Sequence, residues 1–266
     1  MASVCRRFFR SWIPPVALFI FVWYGVGLFL REIRGAPFPL PGETACGMLR
    51  MLAERELLLN HTIFAHVAAS FQRWLGGYVI GVGGGLGIGL LITLFPAAGA
   101  AVMPLVSLVH LVPGLAWIPV AILAAGIGNS TAIMLIALTA FPPVAISLAN
   151  GIQAVPGEFI MVSLMCGDGR WRRFFRVQLP AALPHLVTGL RLALANSWRV
   201  VVAAEMVIGT GLGLGYSIIQ SRWTLDYVSA FICIGFIVAM GLLVDRGLFG
   251  LIERLTLWKW GMKNDE

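Results

Sequence analysis

Apolar residues in this chain come in long unbroken runs. They do not follow the alternation of a half-buried strand or the three-to-four spacing of an amphipathic surface helix. Between Arg73 and Glu158 lie 84 consecutive positions without an Asp, Glu, Lys or Arg. One helical crossing of a bilayer takes about 20 apolar residues, each rising about 1.5 Å, so this stretch supplies several crossings. Proline and glycine clusters divide it at 95–99 and at 126–130, because such clusters interrupt helices. The divisions predict crossings at 75–95, 102–125 and 131–152, preceded by one at 13–30 and followed by 186–208 and 228–244. Six crossings make this an all-α polytopic membrane protein, read as one transmembrane domain over 1–266. Segment 44–60 mixes leucines and methionines with paired charges and predicts an amphipathic helix lying on the outer surface. Pro104, Pro113 and Pro119 in the third crossing, and Pro142 with Pro143 in the fourth, predict kinked or broken helices.

Composition sharpens the reading. Hydrophobic residues make up 59% of the chain and charged ones 12%, with a mean hydropathy of +0.90; about a quarter of a soluble domain is charged, so a water-soluble fold is excluded. The net charge of +7 does not indicate nucleic acid, because 17 of the 19 cations are arginines placed mostly at the ends of apolar runs. Cationic flanks are preferentially retained in the cytoplasm. Arg6, Arg7, Arg10, Arg170, Arg172, Arg173, Arg176, Arg254, Lys259 and Lys263 fall on one side. Arg31, Arg34, Arg50, Arg55, Arg73 and Arg222 fall on the other, the first four beside Glu32, Glu43, Glu54 and Glu56. Both termini and the 153–182 loop are therefore expected in the cytoplasm, with the protein in the cell inner membrane. Residues 13–30 are longer than a typical signal-peptide core and no small-residue cleavage pattern follows, so this stretch reads as a retained first helix.

Catalytic chemistry is not expected. The two lysines are Lys259 and Lys263, so a phosphate-binding G-x-x-x-x-G-K-[ST] loop is missing, as are G-x-S-x-G and H-E-x-x-H. Cys5, Cys46, Cys166 and Cys233 stand singly, without disulfide or zinc spacing. His61, His66, His110 and His185 are dispersed, and His66 and His110 read as packed or interfacial. The glycines at 209, 211, 213 and 215 follow a membrane helix instead of a strand and read as a flexible or re-entrant outer turn.

The polar loop at 153–182 is the most informative stretch. Pro156 can open a short helix and Gly167 with Gly169 can close it. Arg170, Arg173 and Arg176 then repeat every third residue, offset from Trp171, Phe174 and Phe175. Such a segment can lie among lipid headgroups. The spacing of Gly167, Val177, Leu179 and Pro180, however, resembles the cytoplasmic E-A-A-x-x-x-G-x(9)-I-x-L-P loop of permease subunits in binding-protein-dependent ABC importers. The resemblance covers about 61–250. It includes Ser70-Phe71-Gln72-Arg73 with Gly77, Pro113-Gly114-Leu115-Ala116 with Pro119, Gly126-Ile127-Gly128 and Phe141-Pro142-Pro143-Val144. It continues through Leu179-Pro180, Pro184, Gly189-Leu190-Arg191, Trp198, Ala204-Glu205-Met206 and the 211–216 run. The order is that of the branch handling nitrate, aliphatic sulfonates and taurine. Where the pattern has E-A-A, this chain has Met161-Val162-Ser163, with Glu158 one helical turn earlier; either Glu158 takes over the charged contact or the contact is apolar.

The resemblance implies a type I importer permease fold. Residues Glu158 to Asp168 would form a coupling helix seated on a separate ATP-binding subunit, present in two copies. A second permease copy would complete a homodimer, and an extracytoplasmic protein would deliver the solute. ATP and magnesium would belong to the partner, with no cofactor on this chain. Arg191, Asn196, Arg199 and Glu205 in the fifth crossing either line an anion pathway or serve structure, with Arg191 reaching headgroups and Arg199 and Glu205 bonding neighbouring helices. Arg73 reads as an interfacial anchor. An ion-coupled secondary transporter is the alternative, and a membrane enzyme is disfavoured by the missing motifs.

Overall fold

The computed structural model describes residues 2–250 apart from 36 and 54–56, with side chains described from residue 14 and not at 248 and 249. The side chains of Arg6, Arg7 and Arg10, residues Glu54, Arg55 and Glu56, and the tail cations Arg254, Lys259 and Lys263 lie outside the described residues. The chain runs α1 (Ala2–Arg34), α2 (Pro41–Ala53), a two-strand hairpin β1 (Leu57–Leu58) and β2 (His61–Thr62), α3 (Ile63–Leu94) and α4 (Pro96–Leu111). A 3-10 turn (Gly114–Trp117) leads to α5 (Ile118–Ala125), α6 (Asn129–Gln153), α7 (Gly157–Met165) and α8 (Arg170–Arg173). A π turn (Phe174–Gln178) leads to α9 (Leu179–Ile208), α10 (Leu214–Thr224) and α11 (Tyr227–Val244), which ends in a second π turn (Asp245–Phe249).

Among the described residues five helices are long and apolar enough to cross a membrane, and six spans result if α4 and α5 are joined as one. The third expected crossing, 102–125, is not a single helix: its halves are bent by 101° at 112–113. Pro113 explains the break, since a proline lacks an N–H and biases the residue before it away from helical angles. Val112 has φ −76° and ψ 125°. Pro104 lies inside α4, and Pro142 and Pro143 inside α6, without ending either helix. The amphipathic segment stops at Ala53, short of the expected residue 60, and α2 packs on α11 through Gly47 and Met51. Between the fifth and sixth expected crossings, beyond most of the glycine run expected as an outer turn, residues 214–224 form α10, a helix packed on α9 and α11.

At the centre stand α3, α6 and α9, with α6 between the other two. Lipid gives little hydrophobic drive for helices to associate, so close packing of small residues supplies it. Gly77, Gly81, Gly85 and Gly89 form one stripe along α3. A Cβ at Gly77 would fall 2.5 Å from the Ile136 Cβ, at Gly81 2.7 Å from the Ala140 Cβ and at Gly85 2.6 Å from the Phe141 carbonyl oxygen. Toward α9, a Cβ at Gly189 would lie 2.4 Å from the Ser147 Cβ of α6. Between the helices pack Trp74, Tyr78, Ile136, Val144 and Trp198, with Trp74 Nε1 donating to Ser197 Oγ at 3.0 Å and Trp198 Nε1 to the Ile237 carbonyl at 3.2 Å.

The bundle has two chemically distinct ends. The ends of α3 and α6 and the start of α9 meet at the 153–182 loop, here called the loop end. Residues 57–73, the start of α6, the end of α9 and α10 gather at the far end. Near α1, Arg31 pairs with Glu43 at 2.5 Å and donates to the Phe38 carbonyl, tying the 35–40 connection; this guanidinium, with the Leu40 N–H, holds the Glu43 carboxyl below its ordinary value.

A test separates the glycines of the stripe from their neighbours. Gly81→Ala forces a methyl against α6 and is expected to cost about 1–3 kcal/mol, several degrees in Tm measured in mild detergent. Gly83→Ala, where nothing lies within 4 Å, is expected to leave Tm unchanged or raise it.

Candidate functional site

At the loop end a short helix is folded back on the root of α9. Pro156, with φ −56°, precedes α7. Gly167 turns the chain out of α7 with φ +75°, a conformation that residues bearing a Cβ rarely take. The Asp168 N–H donates to the Ser163 carbonyl at 3.1 Å while the Ser163 hydroxyl donates to the Asp168 carboxylate at 3.0 Å, closing the turn from both sides. Arg172 lies 3.7 Å from the same carboxylate. Phe174 is buried against Leu148, Ile152 and Ala182, and Arg170 donates to the Leu94 carbonyl at the end of α3. Leu179 packs on that cluster, Val177 is half-buried in the π turn, and Pro180 occupies the first turn of α9, next to that π turn.

What the loop leaves bare is apolar. Met165 is 88% exposed and Met161 69%, and Phe159, Val162 and Leu164 are more than half exposed. Glu158 is exposed in the first turn, three residues from Met161 and therefore on the same face. A nine-residue helix with almost no apolar burial of its own is thus closed at its end by the Ser163–Asp168 clasp. The clasp was not anticipated from sequence; its signal is a serine five residues before an aspartate across a terminating glycine. Trp171 and Phe175 stack at 6.3 Å and are exposed, so the expected aromatic face exists except for Phe174.

The four polar residues expected in the fifth crossing separate into three environments. Glu205 is fully buried at the far end, where Arg73 Nη1 lies 2.6 Å from its Oε1. Ser70 Oγ and the Gly215 N–H donate to Oε2 at 2.8 and 2.9 Å. Arg73, expected as an interfacial anchor, is 7% exposed and also donates to Asn129 Oδ1 at 2.7 Å. The expectation fails because the start of α3 is roofed by β1, β2 and the glycine run. That run is moulded to the ion pair: Gly213 has φ +144° and a Cβ there would fall 2.5 Å from the Glu205 carboxyl carbon. His66 is buried as expected, bonded to the Leu58 carbonyl at 2.9 Å and to Ser217 Oγ at 2.9 Å.

Arg191 is bound not to headgroups but to Asp245, through Nε and Nη2 at 2.8 and 2.9 Å, joining α9 to the end of α11. Arg199 donates within its own helix, Nε to the Ala195 carbonyl at 3.0 Å and Nη2 to Asn196 Oδ1 at 3.3 Å. With Asn196 and His110 it lines a half-open cavity of ≈ 390 Å³ beside the α4–α5 break. Gly114 forms a wall there; a Cβ on it would meet Thr139 Cγ2 at 2.6 Å and Val200 Cγ2 at 2.8 Å.

The far-end pair admits a double-mutant cycle. Removing one partner leaves a buried charge and is expected to cost about 3–5 kcal/mol, whereas replacing both with apolar residues recovers much of it. Arg73→Met and Glu205→Leu are each expected to cut the yield of folded protein in detergent severalfold, and the double variant to exceed either, measured by size-exclusion chromatography and Tm.

Comparison with known proteins places this geometry. Residues 77–256 match the family described as the binding-protein-dependent transport system inner membrane component. The taurine transport system permease protein TauC of Escherichia coli is 32% identical over 248 residues, 92% of this chain and 88% of its own. The bicarbonate transport system permease protein CmpB of a Synechocystis species is 31% identical over 191 residues, 71% of this chain and 68% of its own. The inward-facing MetNI methionine ABC transporter, in its CY5 native crystal form, superposes with a TM-score of 0.56 at 22% identity, covering 75% of this chain and 96% of that one, and so shares the fold. A membrane bundle of five or six spans, a short helix clasped at one end and a match over most of its length identify this chain as a member of the permease family of binding-protein-dependent ABC transport systems.

Proposed function

We propose that the chain is the membrane-spanning subunit of an ATP-driven importer, forming the path for a small anion such as a sulfonate, taurine, nitrate or bicarbonate. In this reading two copies of the chain pair as a homodimer, each bound through α7 to one of two separate ATP-binding subunits, which hold ATP and magnesium. An extracytoplasmic solute-binding protein docks at the far end, and lipid surrounds the rest. Both termini lie in the cytoplasm with the 153–182 loop.

The observation that carries the reading is the bare apolar surface of α7 on a braced mount. Leaving Met161, Met165 and Phe159 in water is unfavourable by roughly 25 cal/mol per Å² of apolar area, a deficit that a groove on a partner removes. Because Gly167 and the Ser163–Asp168 clasp stiffen the turn, closure of the ATP-binding pair moves α7 as a body. The motion is passed to α9 through the π turn and to α3 through Arg170. At the position of the family's glutamate the contact is made by Met161, with Glu158 beside it on the same face. The relatives TauC and CmpB support the anion class. The secondary-transporter alternative needs an acid free to load and release an ion; Glu205 and Asp245 are both engaged by arginines.

Purification of the tagged chain with its neighbours in mild detergent tests the coupling. An ATP-binding subunit with ATPase activity is expected to co-elute with wild type. It should fall at least tenfold with Gly167→Pro, which cannot adopt the turn's φ, and with Met165→Glu, at unchanged membrane expression. Wild type that carries no ATPase in several gentle detergents, together with a Gly167→Pro variant that behaves identically, overturns the reading.

A further inference from the structure

Charge accounting inside the membrane singles out one residue. Of the arginines in the described spans between residues 63 and 247, Arg73, Arg191 and Arg199 lie along α3 and α9, while Arg170, Arg172, Arg173, Arg176 and Arg246 lie at span ends. Arg73 is neutralised by Glu205 and Arg191 by Asp245. Arg199 has no carboxylate within salt-bridge distance among the described residues, and its printed hydrogen bonds are to neutral oxygens of its own helix. It sits nine residues before the end of α9 and twenty after its start, about two and a half turns and more than five turns respectively. The cavity it lines includes Thr139 and Pro142, at the middle of α6. Its Nε bond runs to Ala195, one turn further from the near end of the helix, so the guanidinium is not drawn toward that end. A lone guanidinium at this depth is expensive unless water or an anion reaches it.

A second copy of the chain brings no remedy. No acid lies between Arg73 and Glu158, and the intramembrane acids Glu205 and Asp245 are already engaged in each copy. The cavity, ≈ 390 Å³, has no acidic residue in its lining and is within the range of about 300–1,000 Å³ for small-molecule pockets. Its polar groups are donors. The Asn196 carbonyl oxygen accepts from Arg199, leaving the amide NH2 to donate, and His110, without a hydrogen-bond partner among the described residues, offers a ring N–H. The Thr139 hydroxyl donates to the Leu135 and Ile136 carbonyls and so is spent on its own helix.

We propose that Arg199, Asn196 and His110 form an anion-binding site at the α4–α5 break, built for a small group bearing one negative charge shared over two or three oxygens: sulfonate, carboxylate, bicarbonate or nitrate. A planar guanidinium meets two such oxygens at once. The site deepens the anion-importer reading above and rests on it, and it makes the permease itself select for charge in addition to whatever the solute-binding protein selects. Arg73, Arg191 and Glu205 are structural in this scheme.

Chloride is the reporter, followed by 35Cl NMR line broadening on the purified protein in detergent at fixed ionic strength, with nitrate, bicarbonate and taurine as competitors. Wild type is expected to show a saturable broadening that at least one competitor displaces. Arg199→Gln weakens it at least tenfold, Arg199→Lys retains part of it, and Arg222→Gln, which removes an exposed arginine elsewhere, leaves it intact. Ala203→Glu sets a carboxylate four residues from Arg199 on the cavity wall and abolishes the broadening with the arginine still present; it decides the matter should Arg199→Gln not fold. Equal broadening in wild type, Arg199→Gln and Ala203→Glu, or none in wild type, overturns the site. Neither result touches the co-elution of ATPase, so failure of the site and failure of the importer reading are told apart.

Discussion

The close approach of α3 to α6 is the constraint on which the rest depends. Side chains on the Gly77–Gly89 stripe would overlap atoms of α6, including backbone, so the two helices meet nearly backbone to backbone. In lipid this contact gains dispersion energy that apolar side chains cannot gain by leaving water. It also sets where α9 can lie, since α9 packs on α6 through Gly189 and on α3 through Trp74 and Tyr78. Everything functional hangs from this slab: the clasped α7 at one end and the ion-paired roof at the other.

Charge neutrality is the second constraint, and it assigns work to residues that look alike in sequence. Arg73 and Glu205 hold the far end closed around the glycine run, whose donors at Leu214 and Gly215 complete the shell. Arg191 and Asp245 fasten α11 to α9. The same helix carries Arg199, which has no carboxylate partner among the described residues and bonds to neutral oxygens of its own helix.

The spans were legible because long apolar runs broken by glycine and proline admit little else, and five of the six fell where the pattern placed them. The third failed to be one helix because a proline's effect depends on context: Pro104, Pro142 and Pro143 sit inside helices that continue through them, while Pro113 follows the extended Val112, where α4 ends. The loop was legible from breakers and spacing. The ion pairs were not, since Arg73 and Glu205 lie 132 residues apart and no local pattern links them. Position near a helix end made Arg73 resemble an anchor; the roof formed by residues 57–62 and 209–215, which buries it, has no periodic signature.

That separation has a consequence for how the protein is made. At about 5–20 residues per second, the ribosome needs roughly 7 to 26 s after Arg73 before Glu205 exists. Once α6 is made, α3 and α6 can associate along the glycine stripe, which needs no later segment, but the carboxylate that pairs with Arg73 in the folded chain does not yet exist. The buried shell around Arg73, which includes Glu205 and the N–H of Gly215, therefore cannot close until α9 and the glycine run have been made. The last-made third of the protein thus supplies the counter-charge for a helix begun in its first third.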